Sequence, residues 1–307
     1  MSATHPVSLS TLALQRGRSR AAARVLDYVA LTRPRVLSLV LFTAPPALFL
    51  DAGRWPGATP LIGVVLGAAL VGGACGAFNA YIERERDARM ARTRSRPLPT
   101  GRLAPQQALK FGVLVAGLGL AILLGVGGWL SALIGALTLA HYVGIYTLWL
   151  KPRTPQNIVI GGAAGAAAPL IADVAVDGRL GVWGIALFAI IFLWTPPHFW
   201  AIALYRKSEY AAAGFPMMPC VVGDVATRRR MLAYAIALLP VTLLPWLGGA
   251  LGLLYASVAL LSGAGFIASI VRAMRADSRD QDRRVFFVSI QYLALLFGAM
   301  LVDLALR

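Results

Sequence analysis

NAYIERERDARMARTRSRPLPTGR, residues 79–102, ends a stretch without one charged side chain, 55–82, and then sets three acids and seven arginines into twenty positions. A helix leaving a membrane needs only a few lysines or arginines to fix its direction. It does not need Asn79, Glu83 and Asp87 spaced by fours. The reading of this stretch decides the fold: an oily helix that ends at a polar surface carrying chemistry.

The rest of the composition agrees. Of 307 residues, 58% are hydrophobic and only 14% charged, and the mean hydropathy is +0.71. That is well beyond an ordinary globular domain. A net charge of +16 has no basic domain to sit on apart from the apolar runs. It points to anionic lipid and phosphate-bearing ligands rather than nucleic acid. Cys75 and Cys220 give neither a disulfide framework nor metal-ligand spacing. The first 35 residues scatter arginines without the apolar core and cleavage site of a signal peptide. Residues 1–24 read as a disordered basic cytoplasmic tail, and 25–307 as the membrane domain.

Charge-free runs predict nine membrane-spanning helices. The first begins near Tyr28 and ends at 50, with Arg33 and Arg35 snorkelling to the surface. The second is 58–82. The run 111–150 is long enough for two, turning at GVGGW, 125–129. Two more are 157–172 and 182–204. The run 231–271 again holds two, broken near GGALG, 248–252, and 285–302 is the ninth. Each approaches the ~20 residues that cross hydrocarbon, and only helices satisfy their own backbone there. The loops on the side of the N-terminus then hold 26 of the 29 lysines and arginines; Arg54, Arg179 and Arg307 lie opposite. This asymmetry predicts a cytoplasmic N-terminus and an external C-terminus.

Arginines in the 83–102 loop are explained by orientation; the acids are not. On a helix continuing past Ile82, Asn79, Glu83 and Asp87 stack on one face. An amide and two carboxylates make a hard oxygen set of the kind magnesium shares with substrate phosphates. The competing reading is i,i+4 salt bridging, with Glu85 to Arg89 and Asp87 to Arg84, and a hydrogen-bonded Asn79 at the helix end. Other loops on this side bring bases. WLKPRTPQN, 149–157, supplies Lys151 and Arg153; LYRKSEY, 204–210, supplies Arg206, Lys207, Glu209 and Tyr210. Arginine clamps phosphate bidentately and lysine adds a compact charge, although lysines beside a span also serve orientation. GGAAGAAAPL, 161–170, reads as small-residue helix packing, with room left beside a bulky ligand as the alternative use. In WTPPHFW, 194–200, Pro196 and Pro197 are expected to kink or interrupt the sixth helix. His198 there suits an acid–base group, a haem ligand, a carboxylate partner or a structural residue. His141, in HYVGIY, has a weaker case.

These phrases together resemble the intramembrane UbiA-type prenyltransferases. NAYIERERDARMARTRSRPLPTG is similar to the family's first aspartate-rich motif. YTLWLKPRTPQNIVIGGAAGA and WTPPHFWAIALYRKSEYAAAGFPMMP resemble its haem-modifying branch, and the likeness runs over about 28–304. The resemblance implies an all-α bundle of nine helices around a lipid-accessible cavity, capped by cytoplasmic loops in a bacterial inner membrane. It implies farnesyl diphosphate and protoheme IX as substrates, Mg2+ held by Asn79, Glu83 and Asp87, and haem A synthase as a partner. Arg92, Arg96, Lys151 and Lys207 become candidates for the diphosphate clamp, with Arg153, His198, Arg206, Glu209 and Tyr210 as further substrate contacts. Two departures stand out. Glu83 occupies a position usually held by Asp, so its carboxylate reaches one methylene further. No full second aspartate motif follows the sixth span; RKSEY offers Lys207 and Glu209. Rival classes fit less well. A transporter also has broken helices and buried polar groups, but it does not need carboxylates and phosphate-binding bases at one depth. A CDP-dependent lipid phosphotransferase would carry a D-G-x-x-A-R pattern, which is absent from the sequence.

Overall fold

The computed structural model describes residues 21–53 and 55–306, with backbone alone at 35, 36, 39 and 40. Most of the expected tail, together with Arg54 and Arg307 and the side chain of Arg35, lies outside the described residues. The described chain is helical and contains no strand. Helix α1 covers 21–31, followed by α2 (Pro34–Leu41), α3 (Ala44–Ala52), α4 (Ala58–Asp87) and α5 (Pro105–Ala140). A π-helix then runs over His141–Leu150. After it come α6 (Asn157–Gly165), α7 (Ala168–Asp177), α8 (Val182–Tyr205), α9 (Lys207–Ala212) and α10 (Met218–Val222). The last three are α11 (Asp224–Leu247), α12 (Leu253–Ala276) and α13 (Arg279–Ala305).

Seven helical segments among the described residues are long and apolar enough to cross a bilayer. One of them, Pro105–Leu150, is 46 residues long and folds back on itself. Gly128 leaves helical geometry at φ 75°, ψ 179°. Beyond it, a Cβ on Gly135 would stand 2.9 Å from Leu123 Cδ1 and 3.2 Å from Leu120 Cδ2. In a straight helix twelve residues span ~18 Å, so the segment is an antiparallel hairpin turning within GVGGW. The predicted break at 248–252 also falls between helices. The expected first span is different: it is divided among α1, α2 and α3, and α2 and α3 are only 8 and 9 residues long. A count of nine therefore depends on that broken pair.

Two further expectations are corrected. Helix α8 runs unbroken through Pro196 and Pro197. The break lies instead between α6 and α7, at Ala166 and Ala167, just ahead of Pro169. Proline costs a bond to the carbonyl one turn earlier, here those of Phe192 and Leu193, and the packing of α8 on its neighbours holds the helix through them. Arg33 does not snorkel outward. Its guanidinium turns inward onto the Asn79 amide oxygen.

Helix α8 forms the centre of the core, packed on α6, α7, α11 and α13, with Leu187, Ile190, Trp194 and Trp200 buried. Carboxylates tie helix ends on both faces. Asp173 accepts from the amides of Gly181 and Gly184 at 2.6 and 2.8 Å, at the start of α8. Asp303 accepts from the Gly252 amide at 2.6 Å, at the start of α12. At the other end Arg228 of α11 forks onto Asp282 of α13, both bonds 2.8 Å. These two side chains are 3% and 1% exposed. Arg228 also pairs with Asp277, so removing Asp282 leaves the buried guanidinium one partner instead of two, at a cost below the ~3 kcal/mol of a fully uncompensated charge. Asp282→Ala is therefore expected to lower the melting temperature in detergent by several degrees, followed by a thermal-shift assay. An unchanged melting temperature would show the clasp to be irrelevant to stability.

Candidate active site

The acidic stripe is real and buried. Helix α4 continues to Asp87, so Asn79, Glu83 and Asp87 share one face at 0%, 5% and 4% exposure. Carboxylates do not lose water without compensation, and each finds a cation. Lys151 Nζ lies 2.7 Å from Glu83 Oε2 and 2.5 Å from Oε1. Its hydrogen-bond direction serves Oε2, leaving Oε1 buried without a properly aimed donor. Arg96 Nη1 donates to Asp87 Oδ2 at 2.7 Å. Burial and the neighbouring Arg33 charge lower the Arg96 pKa against the pull of Asp87. Asn79 accepts from Arg33 and donates through Nδ2 to Thr147 Oγ1 at 3.1 Å. The local salt bridges considered from sequence are replaced: Arg84 reaches Glu85 at 3.3 Å, and Asp87 is held from the loop.

Two partners of α4 come from the π-helix and the residue that ends it. Thr147 meets Asn79 and Lys151 meets Glu83, so four-residue steps match on two neighbouring elements. The wider turn makes this alignment possible. Lys151 N bonds Tyr146 O at 2.9 Å and Thr147 Oγ1 bonds Tyr142 O at 2.8 Å, both five residues back. Insertions of this kind often mark functional sites. Gly161 of α6 accommodates the bulge, since a Cβ there would come within 2.2 Å of the Tyr146 ring. Phe215, in the loop after α9, closes the far side. Its ring lies 5.0 Å from Lys151 Nζ and 5.1 Å from Arg86 Cζ.

The remaining candidates divide. Tyr210 belongs to this side, with its carbonyl accepting from the Phe215 amide at 3.1 Å. Arg92 is exposed but near enough for its charge to act on Arg96. Lys207 pairs with Asp224 at 2.7 Å, and Arg206 with Glu209 at 2.8 Å. Glu209 keeps its second oxygen buried and unpartnered. Arg153 donates to the Leu148 and Trp149 carbonyls, both 3.0 Å, and so caps the π-helix. His198 sits in the core, Nδ1 2.7 Å from Ser289 Oγ and its ring stacked on Trp194 at 4.2 Å. His141 Nε2 meets the Ile160 carbonyl at 2.9 Å. Sequence reasoning missed Arg33, Tyr146, Thr147 and Phe215. Only the Y-T-L-W-L-K run, with tyrosine five residues before the lysine, hinted at the wider turn. A cleft of about 880 Å³ lined by Trp55, Trp183 and Leu301 contains none of these residues.

Among the described residues no three His, Cys, Asp or Glu side chains gather as a metal group. A cation here would rely on the Asn79 amide and two carboxylates. The donor set suits it: all oxygen, buried, and with Glu83 Oε1 unserved by any well-aimed hydrogen bond. Magnesium favours such ligands.

Residues 40–296 match the UbiA prenyltransferase family. The chain belongs to that family. It is 45% identical over 284 residues to the protoheme IX farnesyltransferase of Erythrobacter litoralis, covering 90% of this chain and 92% of that one. Its fold superposes on a structure described as digeranylgeranylglyceryl phosphate synthase with a TM-score of 0.78 at 16% identity, over 93% and 100% of the two chains. A UbiA homologue from Archaeoglobus fulgidus bound to DMAPP and Mg2+ gives 0.62 at 16% identity, over 90% and 99%. The all-helical, multi-pass architecture is thus that of a UbiA prenyltransferase. Gly161→Val is expected to drive Tyr146 out of register, carry Lys151 from Glu83, and lower prenyl-transfer turnover at least about tenfold. Steady-state turnover of the purified variant measures it; wild-type turnover would separate the π-helix from the chemistry.

Proposed function

We propose that this protein transfers the farnesyl group of farnesyl diphosphate to the 2-vinyl group of protoheme IX, with addition of water, giving haem O and diphosphate. The observation that carries the reading is the buried Asn79–Glu83–Asp87 stripe with Lys151, Arg33 and Arg96 turned onto it. The choice of haem and farnesyl chain rests on the likeness to protoheme IX farnesyltransferases. Asn79, Glu83 and Asp87 would hold Mg2+, which supplies charge neutralisation for the departing diphosphate.

Lys151 and Arg96 would bind diphosphate oxygens as the C1–O bond breaks and negative charge gathers on the leaving group. The allylic cation left behind adds to the terminal vinyl carbon, forming the new C–C bond. Positive charge then lies on the carbon next to the porphyrin; water adds there and loses a proton. Tyr142, Tyr146 and Phe215 would exclude water from the first cation. Exposed Arg92 and Arg153, with Arg206, suit the haem propionates at the surface. Lys207, Glu209 and Tyr210 would form the opposite lip of the site. His198, held by Ser289 and Trp194, is left out of the chemistry in this reading. The domain would be 25–307, crossing a bacterial inner membrane nine times with the N-terminus cytoplasmic and the C-terminus outside. Haem A synthase would be the partner that takes the product.

Supplying haem, farnesyl diphosphate and Mg2+ to the purified protein is expected to yield a hydroxyethylfarnesyl haem by mass spectrometry. No such product would sink the reading. Glu83→Gln and Asp87→Asn are each expected to lose about 100-fold in turnover while still inserting, and Glu83→Asp much less. Lys151→Gln should fall by a similar factor. Lys207→Gln should change turnover by under about threefold, because its partner is the half-exposed Asp224 and not a member of the 79–87 stripe. Equal losses at the two lysines would contradict this division. A reporter fused at the C-terminus and active only in the cytoplasm would overturn the proposed orientation.

A further inference from the structure

Arg33 is held in place with unusual care. It is one of only two non-glycine residues with positive φ among the described residues, at 54°, a conformation bulky L-residues avoid. The left-handed residue makes the corner between α1 and α2, and Pro34 fixes the start of the next helix. Small residues of α4 receive that corner. A Cβ on Gly76 would stand 2.6 Å from the Leu31 carbonyl oxygen, and one on Gly73 would stand 3.2 Å from Thr32 Cβ. The result is a guanidinium bonded to the Asn79 oxygen and close enough for Glu83, Asp87, Tyr142 and Tyr146 to act on its charge.

Two carboxylates then face three internal cations, Lys151, Arg96 and Arg33. A divalent ion arriving alone meets a cluster of net positive charge, and it must displace Arg33 from the amide oxygen it needs. A diphosphate reverses the balance, because its oxygens offer the guanidinium a bidentate partner. We infer that Arg33 is a further substrate-binding residue: it guards Asn79 in the empty site and turns to the diphosphate when metal takes that oxygen. Metal and diphosphate consequently bind as one unit, each raising the affinity for the other. This rests on the function proposed above.

The test is equilibrium binding to the full chain in lipid nanodiscs. The probes are Mn2+ alone, read by electron paramagnetic resonance, and a thiolo analogue of farnesyl diphosphate that does not ionise. In the wild type the analogue should tighten Mn2+ binding by at least about tenfold. In Arg33→Gln, Mn2+ alone should bind a few-fold tighter, while analogue binding with Mn2+ weakens about tenfold or more and the mutual enhancement shrinks. Arg33→Lys keeps the charge without the fork and should fall between them. A purely structural Arg33 would give parallel losses of both affinities and of melting temperature in both variants; that result overturns the inference, as do two unchanged affinities. A wild type that binds no analogue with Mn2+ removes the prenyl-diphosphate reading itself, and this inference falls with it.

Discussion

A carboxylate stays ionised inside a helix bundle when a cation or several aimed hydrogen-bond donors are buried beside it. The contact between Lys151 and Glu83 meets that condition, and much of the local architecture follows from it. Lys151 must reach α4 from the end of the next hairpin, so 105–150 has to turn back within the membrane. It does so at Gly128. The lysine must also face the same stripe as Thr147, which meets Asn79. The π-helix supplies that alignment, and Gly161 leaves room for the Tyr146 ring that the wider turn pushes sideways. One ion pair thus links a loop glycine, an irregular helix and a small-residue stripe that look unrelated in sequence.

The buried acids at helix starts and those of the α4 stripe have different physical duties. Asp173 and Asp303 accept backbone amides at helix starts. Their oxygens are committed to protein, and removing them costs stability. Glu83 and Asp87 are instead matched by the ends of long, flexible side chains that can turn elsewhere. A lysine or arginine can swing to a phosphate without moving the backbone; a backbone amide cannot. The second group is therefore the one suited to exchange its partners.

This difference explains what could be read before the fold was known. The acidic stripe was legible because the helical period puts every fourth residue on one face, and the charge step at Glu83 marked where the oil ends. The hairpin turn was legible from GVGGW, and the gap before α12 from GGALG. Arg33 was misread, because a basic residue near the start of a span usually snorkels; only the left-handed corner and its glycine seat turn it inward. The interruption expected at Pro196 and Pro197 does not occur, since tertiary packing of α8 on four neighbours holds a helix that proline alone would break. Phe215 carried no local signal. Its place follows from a loop closing over cations, a long-range contact that periodicity does not encode.

The two sides of the site are not equivalent in charge. On the α4 side, the acids draw cations from three separate parts of the chain: the α1–α2 corner, the loop after α4 and the π-helix. On the α9 side, Arg206 pairs with Glu209 within one turn, and Lys207 pairs with Asp224 just beyond α10. Partly exposed pairs between neighbouring segments contribute little energy. Pairs formed across the bundle hold separate elements at one point. The α4 side therefore carries both the fold's long-range ties and the density of reversible charge. A substrate whose charge falls on the α4 side would bind against elements already held together by that charge. A reactive cation requires a counter-charge fixed in this way.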